Sequence, residues 1–498
     1  MLNKIKNIGS KLLVLLAFML GFCGCSSITD AHSSKADMMN SFMSGDNEAV
    51  KEELLEQLDE ESSFSAVNTG DEIMWRLEAG SFYFHIGEYQ KSIEHFTAAE
   101  KLIEAYDYRA VVSARDAGAE IGSALVNLNA LPYRGLCRDR MALEIYKSLA
   151  YLGCGREDAF RAQLKRLRGA QKKVQDDYRD FFENENKELK AAQQKNPGAA
   201  AKSHWTPDQL AGNAQNTQFT RNLEEMRKVG HRGYGNFLNP AATYLSGIGL
   251  LRDGHYDNAR IEFKRLYQAM PNNPMAQRYY VTSLNLTNRD VPSELAEVQP
   301  FDFPLDRDCV YVVSALGRSA AFKEIEIYFP VMAAWAGCEF YTPDFQNCTV
   351  KADGRNFVSW PLADMDGIIV QEFEERLPAM ITRTILSTAI KEGIRYAGTA
   401  VIAQHDEGLA LLFFLLSTTY NAATNTADTR SWEMLPQEFK VTQLPMPQER
   451  KLEIELSGSK NCRIQLDLPA ENCRSAIVFV SAPSKDNVAC HVLPIASK

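Results

Sequence analysis

The sequence predicts a multidomain α + (α+β) chain: an N-terminal α-solenoid of helical repeats, then a mixed β-containing domain with one buried helix and a C-terminal β-sheet. Three observations predict it. Two segments, around residues 80–99 and 247–271, share one residue spacing. The hydrophobic period changes from about 3.6 to about 2 near residue 296. Beyond that change one apolar run, Leu409–Leu416, stands among strand-like segments. Length and composition agree, because 498 residues suit roughly two to four domains. A balance of 45% hydrophobic and 24% charged residues is that of a globular chain. The formal charge of −10, from 54 basic and 64 acidic residues, disfavours generic nucleic-acid binding, which needs a basic surface.

Residues 1–24 read as an export signal. Lys4, Lys6 and Lys11 form a basic leader, and Leu12–Phe22 an apolar core too short to span a bilayer. Phe22-Cys23-Gly24-Cys25-Ser26 resembles a bacterial lipobox, which implies cleavage before Cys25 and acylation of that cysteine. Acyl chains bury many CH₂ groups at about 0.8 kcal/mol each, so such an anchor is durable. Ser26 follows where Asp would signal inner-membrane retention, so the resemblance implies outer-membrane sorting. An ordinary cleaved signal is the alternative. Residues 25–46, rich in Ser, Asp, Ala and Met, are expected to form a flexible tether.

Residues 47–295 are expected to form the repeat domain. Gly80, Tyr83, Gly87, Tyr89, Ser92, Phe96 and Ala99 align with Gly247, Leu250, Gly254, Tyr256, Ala259, Phe263 and Leu266. This is the tetratricopeptide spacing: two helices joined by a glycine turn, with small residues where the helices meet. A weaker unit runs through Tyr146, Ala150, Gly155 and Ala159. An ordinary helical bundle is the competing reading. Residues 156–195 predict a long charged helix projecting into solvent, and 196–236 an extended loop. If the stack has an open groove, Tyr83, His85, Tyr89 and Tyr256 are its candidate partner-binding residues.

Residues 296–498 are expected to form the mixed domain. Cys309–Val313 and Glu324–Phe329 are strand-like, and Asp353-Gly354 is a hairpin turn. Phe373–Gln404 is helical, with Ile381, Ile385, Ala389 and Ile390 on one face. The run Leu409–Leu416 is expected to be buried. Residues 451–456, 463–468 and 476–480 predict a small antiparallel sheet. Eight cysteines follow Cys25, and spacing does not choose between bridges and free thiols.

The segment Ala427-Asp428-Thr429-Arg430-Ser431-Trp432-Glu433-Met434-Leu435-Pro436 resembles a signature of a family of bacterial tetratricopeptide-repeat outer-membrane lipoproteins. Tyr133-Arg134-Gly135, Tyr244–Gly254 and Asp364–Arg383 resemble further stretches of that family, in the same order. The resemblance implies an envelope lipoprotein facing the periplasm and brings no catalytic residues. Asp428, Arg430, Ser431, Trp432, Leu435 and Pro436 are expected to be structural, with Arg430 paired to Asp428 and Trp432 plugging the core; a stacked or cation–π contact made by Arg430 and Trp432 is the alternative.

No cofactor, metal or catalytic group is expected. No HExxH, GxSxG, Walker or GxGxxG motif occurs, and the eight histidines are scattered. Asp364 and Asp366 could pair for acid–base work, but their setting reads as a turn and helix cap. Two functional readings remain. One is a non-catalytic scaffold, held to the membrane by lipid, that binds a protein partner. The other is a peptidoglycan-associated enzyme or synthase activator, suggested by Trp335, Trp360 and Trp432.

Overall fold

A computed structural model describes residues 25–62, 65–116, 133–201, 203–235, 238–329, 331–424, 427–469 and 473–495. The signal reading of residues 1–24 lies outside them. At Cys25 only the backbone is described, as the first residue of a helix.

The expected tether is ordered. Helix α1 (Cys25–Ser44) buries Met38, Met39 and Phe42, and α2 (Asn47–Gln57) follows it. Small polar residues suggested a loose segment, but these three large side chains supply an apolar face that the core accepts.

Three helical hairpins follow: α3 (Glu72–His85) with α4 (Tyr89–Asp116), α5 (Cys137–Gly153) with α6 (Glu157–Lys195), and, after α7 (Thr217–Gly230), α8 (Pro240–Arg252) with α9 (Tyr256–Ala269). Helix α10 (Pro274–Leu286) closes the series. The three turns share one geometry. Gly87, Gly155 and Gly254 take φ of +80°, +69° and +77°. The next N–H then reaches back to a carbonyl five residues earlier: Glu88 to Tyr83 at 2.8 Å, Arg156 to Tyr151 at 2.9 Å, His255 to Leu250 at 2.9 Å. At the end of α10, Asn288 adopts the same left-handed conformation and Arg289 bonds Leu284 at 2.9 Å.

The aligned small residues mark where backbone meets ring. A Cβ on Gly80 would lie 2.5 Å from the Phe96 ring, and one on Gly247 2.8 Å from Phe263. Gly153 does the same between hairpins, against Tyr89. The long helix α6 is not wholly solvated: Phe160, Leu164 and Leu167 are buried near its start, and Leu189 and Ala192 near its end.

Strand β1 (Cys309–Leu316) is buried along its length and forms the centre of a five-stranded sheet, ordered β11-β10-β1-β7-β6. These are β6 (Trp360–Asp364), β7 (Glu438–Pro445), β10 (Ser475–Ala482) and β11 (Ala489–Ile495). The expected C-terminal antiparallel sheet is corrected here. β10 pairs parallel to β1, with Val312 opposite Val478. β8 (Lys451–Gly458) and β9 (Asn461–Asp467) instead join β4 (Phe345–Ala352) and β5 (Arg355–Val358) in a separate four-stranded sheet. Alternation along β1 and β10 then divides the core. Tyr311, Val313, Ile477 and Phe479 face the helices. Val310, Val312, Val478 and Val480 face Cys348, Val350 and Ile454 of the second sheet.

The expected loop 196–236 is also corrected. It contains α7, which buries Phe219, Leu223 and Met226 at i, i+4 and i+7 against β2 (Ala321–Phe329), β3 (Val331–Glu339) and helix α11 (Met365–Ala403). Polar residues between those three positions diluted a helical signal that was present. Helix α7 therefore packs with the second half. Helix α12 (Glu407–Thr424) follows α11. The eight cysteines from Cys137 onward are free thiols, with Cys137 and Cys154 at opposite ends of α5.

Candidate functional site: an apolar helical hairpin at the surface

The inner half of α11 is firmly anchored. Asp364 caps it, accepting from the Gly367 N–H at 2.9 Å. Asp366, buried, accepts from the Ala320 N–H at 2.7 Å and the Gln437 amide at 2.9 Å. Burial pushes its carboxyl up to about 6. These two carboxylates are thus a cap and a cross-link. Glu372 accepts from the N–H groups of Cys137 and Arg138 at 3.1 and 3.3 Å, fixing α11 to the start of α5. Ile381 and Ile385 are fully buried, and Leu386 packs against Leu189 and Ala192 of α6.

Beyond Leu386 the helix runs outward with α12 packed along it. Gly398 lies so close that a Cβ would meet the Phe413 ring at 2.6 Å. Arg395 ties the pair together: it pairs with Glu392, donates to Thr418 at 3.1 Å, and lies 4.6 Å over the Tyr396 and Phe414 rings. Asp406 caps α12 through the Leu409 N–H at 3.0 Å.

The expectation of a buried helix at Leu409–Leu416 is overturned here. Among the described side chains of α12, Ala410, Phe413 and Ser417, spaced three and four apart, are the buried ones. Leu411, Leu412, Leu415 and Leu416 share the opposite face and are 60%, 46%, 55% and 36% exposed. On α11, Ile394, Tyr396 and Val401 are exposed too. The four leucines thus leave an apolar face of α12 in water. An uninterrupted apolar run usually means burial on all sides, so the sequence alone pointed inward. No described helix is long and apolar enough to cross a membrane.

The expected groove residues do not line an open groove. Tyr83 is buried and stacks on His95 with ring centroids 5.2 Å apart. His85 is buried against the sheet, its Nδ1 2.8 Å from the Ser481 hydroxyl and its Nε2 2.7 Å from Asn487 Oδ1. The Asn487 amide donates to Phe42 O at 2.6 Å, so its oxygen faces His85. Nε2 therefore carries the proton and Nδ1 accepts from Ser481. Tyr89 bonds His491 Nδ1 at 2.8 Å, and Tyr256 donates to Asp306 at 3.1 Å. Helices α3, α5, α8 and α10 turn toward the sheet, as in the contacts of Phe84 and Tyr146 with Phe479 and the 2.6 Å bond from Tyr279 to Gln443. The chain's own sheet fills that side.

The signature segment is the latch between halves. Arg430 pairs with Asp428 and with Asp71, each at 2.8 Å. Trp432 is fully buried between Phe96 and Tyr146 and donates to Ser81 Oγ at 3.1 Å. Ser431, Leu435 and Pro436 are buried, and Leu435 O accepts from the Ser319 N–H at 2.9 Å. Sequence reasoning missed the partner that organises this latch. Glu78 of α3 accepts from the Glu433 and Met434 N–H groups at 2.7 and 3.0 Å. Lys35 of α1 pairs with Glu78 at 3.0 Å and with Glu433 at 3.6 Å, while Arg318 pairs with Glu433. Burial raises the Glu78 carboxyl, and Lys35 opposes that rise.

The tryptophans of the second half do not gather in a cleft. Trp335 is buried beside Phe219 and Phe373, Trp432 sits in the latch, and Trp360 is 38% exposed on edge strand β6. Among the described residues no group of His, Cys, Asp and Glu is arranged to hold a metal ion. Comparison with protein-family models, curated proteins and solved structures found no match to this chain.

Proposed function

We propose that this chain is a non-catalytic assembly protein of the bacterial cell envelope. An acylated Cys25 holds it at the periplasmic face of the outer membrane, and the α11–α12 hairpin is the surface it offers to protein. The helical half is a tetratricopeptide-like solenoid whose inner side is occupied by the chain's own sheet. The observation that carries the reading is the four-leucine face of α12, left in water on a hairpin whose inner half is fixed by Asp364, Asp366 and Glu372. Rigid anchoring of an apolar face is what a preformed binding surface requires. The export signal and lipobox-like Cys25 support the location. The latch supports a structural role for the signature segment.

Two measurements test it. Fatty-acid labelling in cells should mark the wild-type chain and not Cys25→Ser. On a native gel of envelope extracts the chain should run in an assembly that Leu411→Glu with Leu415→Glu dissolves. An unacylated mature chain, or unchanged migration of the double variant, refutes the reading.

A further inference from the structure

We propose that Cys462 and Cys490 form a cross-linking site: in an oxidising compartment they join as a disulfide that staples edge strand β9 of one sheet to edge strand β11 of the other. The pairing rests on the sandwich alone. Its oxidation in cells rests on the envelope location proposed above.

Strand order brings the two edges together. β5 lies against β7, and β4 against β1. The four-stranded sheet runs β5-β4-β8-β9, and the five-stranded sheet β6-β7-β1-β10-β11. Counted outward in step, β8 covers β10 and β9 covers β11. Both outer strands are hydrogen-bonded to a neighbour on one side only, so they yield more readily than central strands.

Register brings the two cysteines together. Cys348, Leu456 and Cys462 are direct neighbours across β4, β8 and β9. Ser314, Val480 and Cys490 are direct neighbours across β1, β10 and β11. Directly paired side chains share a face of their sheet. Cys348, Leu456 and Val480 belong to the core between the sheets, and Cys462 and Cys490 pack against it from the rim. At the inner ends of the two rows Cys348 lies beside Ser314. One row therefore lies over the other, and their outer ends are Cys462 and Cys490. The thiols also feel each other: burial pushes Cys490 up to about 12, and Cys348 and Cys462 add to that rise.

Exposure selects the pair. Cys348 is fully buried, whereas Cys462 and Cys490 are half-buried, so an oxidant meets those two. A disulfide needs Cα atoms within about 7 Å, closer than the roughly 10 Å between packed sheets. That approach is least opposed at the rim, where two small side chains face each other from two edge strands.

The chemistry is thiol–disulfide exchange. The Cys462 thiolate attacks a donor disulfide, leaving a mixed disulfide and releasing one donor thiol. Cys490 then gives up its proton, attacks the Cys462 sulfur and releases the second donor thiol. Two cysteine thiols are oxidised and one donor disulfide is reduced to two thiols. Burial keeps Cys490 protonated, so the second step is the slow one.

The test purifies the full-length chain from cell envelopes, denatures it in iodoacetamide, then reduces it and adds N-ethylmaleimide. Mass spectrometry should find the maleimide on Cys462 and Cys490, and the unreduced digest should contain their two peptides joined. The reduced chain treated with oxidised glutathione should form the same link. Closing the loop between these residues should raise the urea midpoint by roughly 1 M. Cys462→Ser and Cys490→Ser should each abolish the link and the rise, and Cys348→Ser should keep both. A link from Cys490 to Cys348, or free thiols at both positions after glutathione treatment, overturns the pairing. A link that glutathione forms but that the envelope-purified chain lacks leaves the pairing standing and overturns its oxidation in cells.

Discussion

Glu78→Ala tests whether the latch joins the two halves. The carboxylate is completely buried and serves two backbone donors, at Glu433 and Met434, and one cation, Lys35. Removing it leaves two buried N–H groups without an acceptor, at about 1–3 kcal/mol each. It also leaves Lys35 with Glu433 at 3.6 Å as its remaining carboxylate. Breaking a buried ion pair from one side costs about 3–5 kcal/mol. These costs overlap, because one rearrangement relieves several, so the expected loss is about 4 kcal/mol. Urea unfolding followed by tryptophan fluorescence measures it, with buried Trp75 and Trp432 as reporters. At a slope of about 3 kcal/mol/M the midpoint falls by roughly 1 M. Glu78→Gln keeps one carbonyl acceptor and should lose about half as much. A loss below about 1 kcal/mol for Glu78→Ala would show that the signature segment is held by packing alone and refute the reasoning.

Four further outcomes follow from other contacts. Trp432→Ala should lower stability by about 3–5 kcal/mol in the same assay, because it empties a fully enclosed site. Gly80→Ala should cost about 1–3 kcal/mol or more by overpacking against Phe96, whereas Ala at Gly169, which has open space around it, should be neutral or stabilising. Burial, and secondarily His85, lowers His491 from 6.5 to about 4. The unfolded chain therefore takes up protons first, and stability is full above pH 6.5 and falls as pH drops toward 4. That fall is up to about 3 kcal/mol for this group at 1.36 kcal/mol per pH unit. Urea midpoints against pH should show the slope, and His491→Gln should flatten it. Leu411→Glu with Leu415→Glu should leave the chain's own unfolding midpoint within the range of about 0.5 kcal/mol typical of surface changes, while reducing binding of an apolar dye.

Much of the local structure was legible. The glycines at 87, 155 and 254 announce left-handed turns, and Gly80 and Gly247 announce close approach to Phe96 and Phe263. Asp353-Gly354 closes β4 onto β5 with φ of +46° and +72°. The pairing of Arg430 with Asp428 and the burial of Trp432 were legible because an acid two residues from an arginine is within its reach and a large indole beside an apolar run favours the core. Glu78 was not, since in sequence it is one more acidic residue on a helix. Helix α7 was missed because its three buried apolar positions stood among fourteen mostly polar residues. The candidate groove failed because nothing local to Tyr83 or His85 announces a strand nearly 400 residues away.

By itself the sequence determined which stretches coil into helices, where they turn and which sides of them are apolar, because those properties depend on neighbours within a turn or two. Only the tertiary structure decided which apolar sides meet. It set β10 parallel to β1 and turned the helix stack onto that sheet. It also left the leucine face of α12 exposed to water. Burial is a property of the whole packing, and an apolar side chain carries no mark of the surface that will cover it.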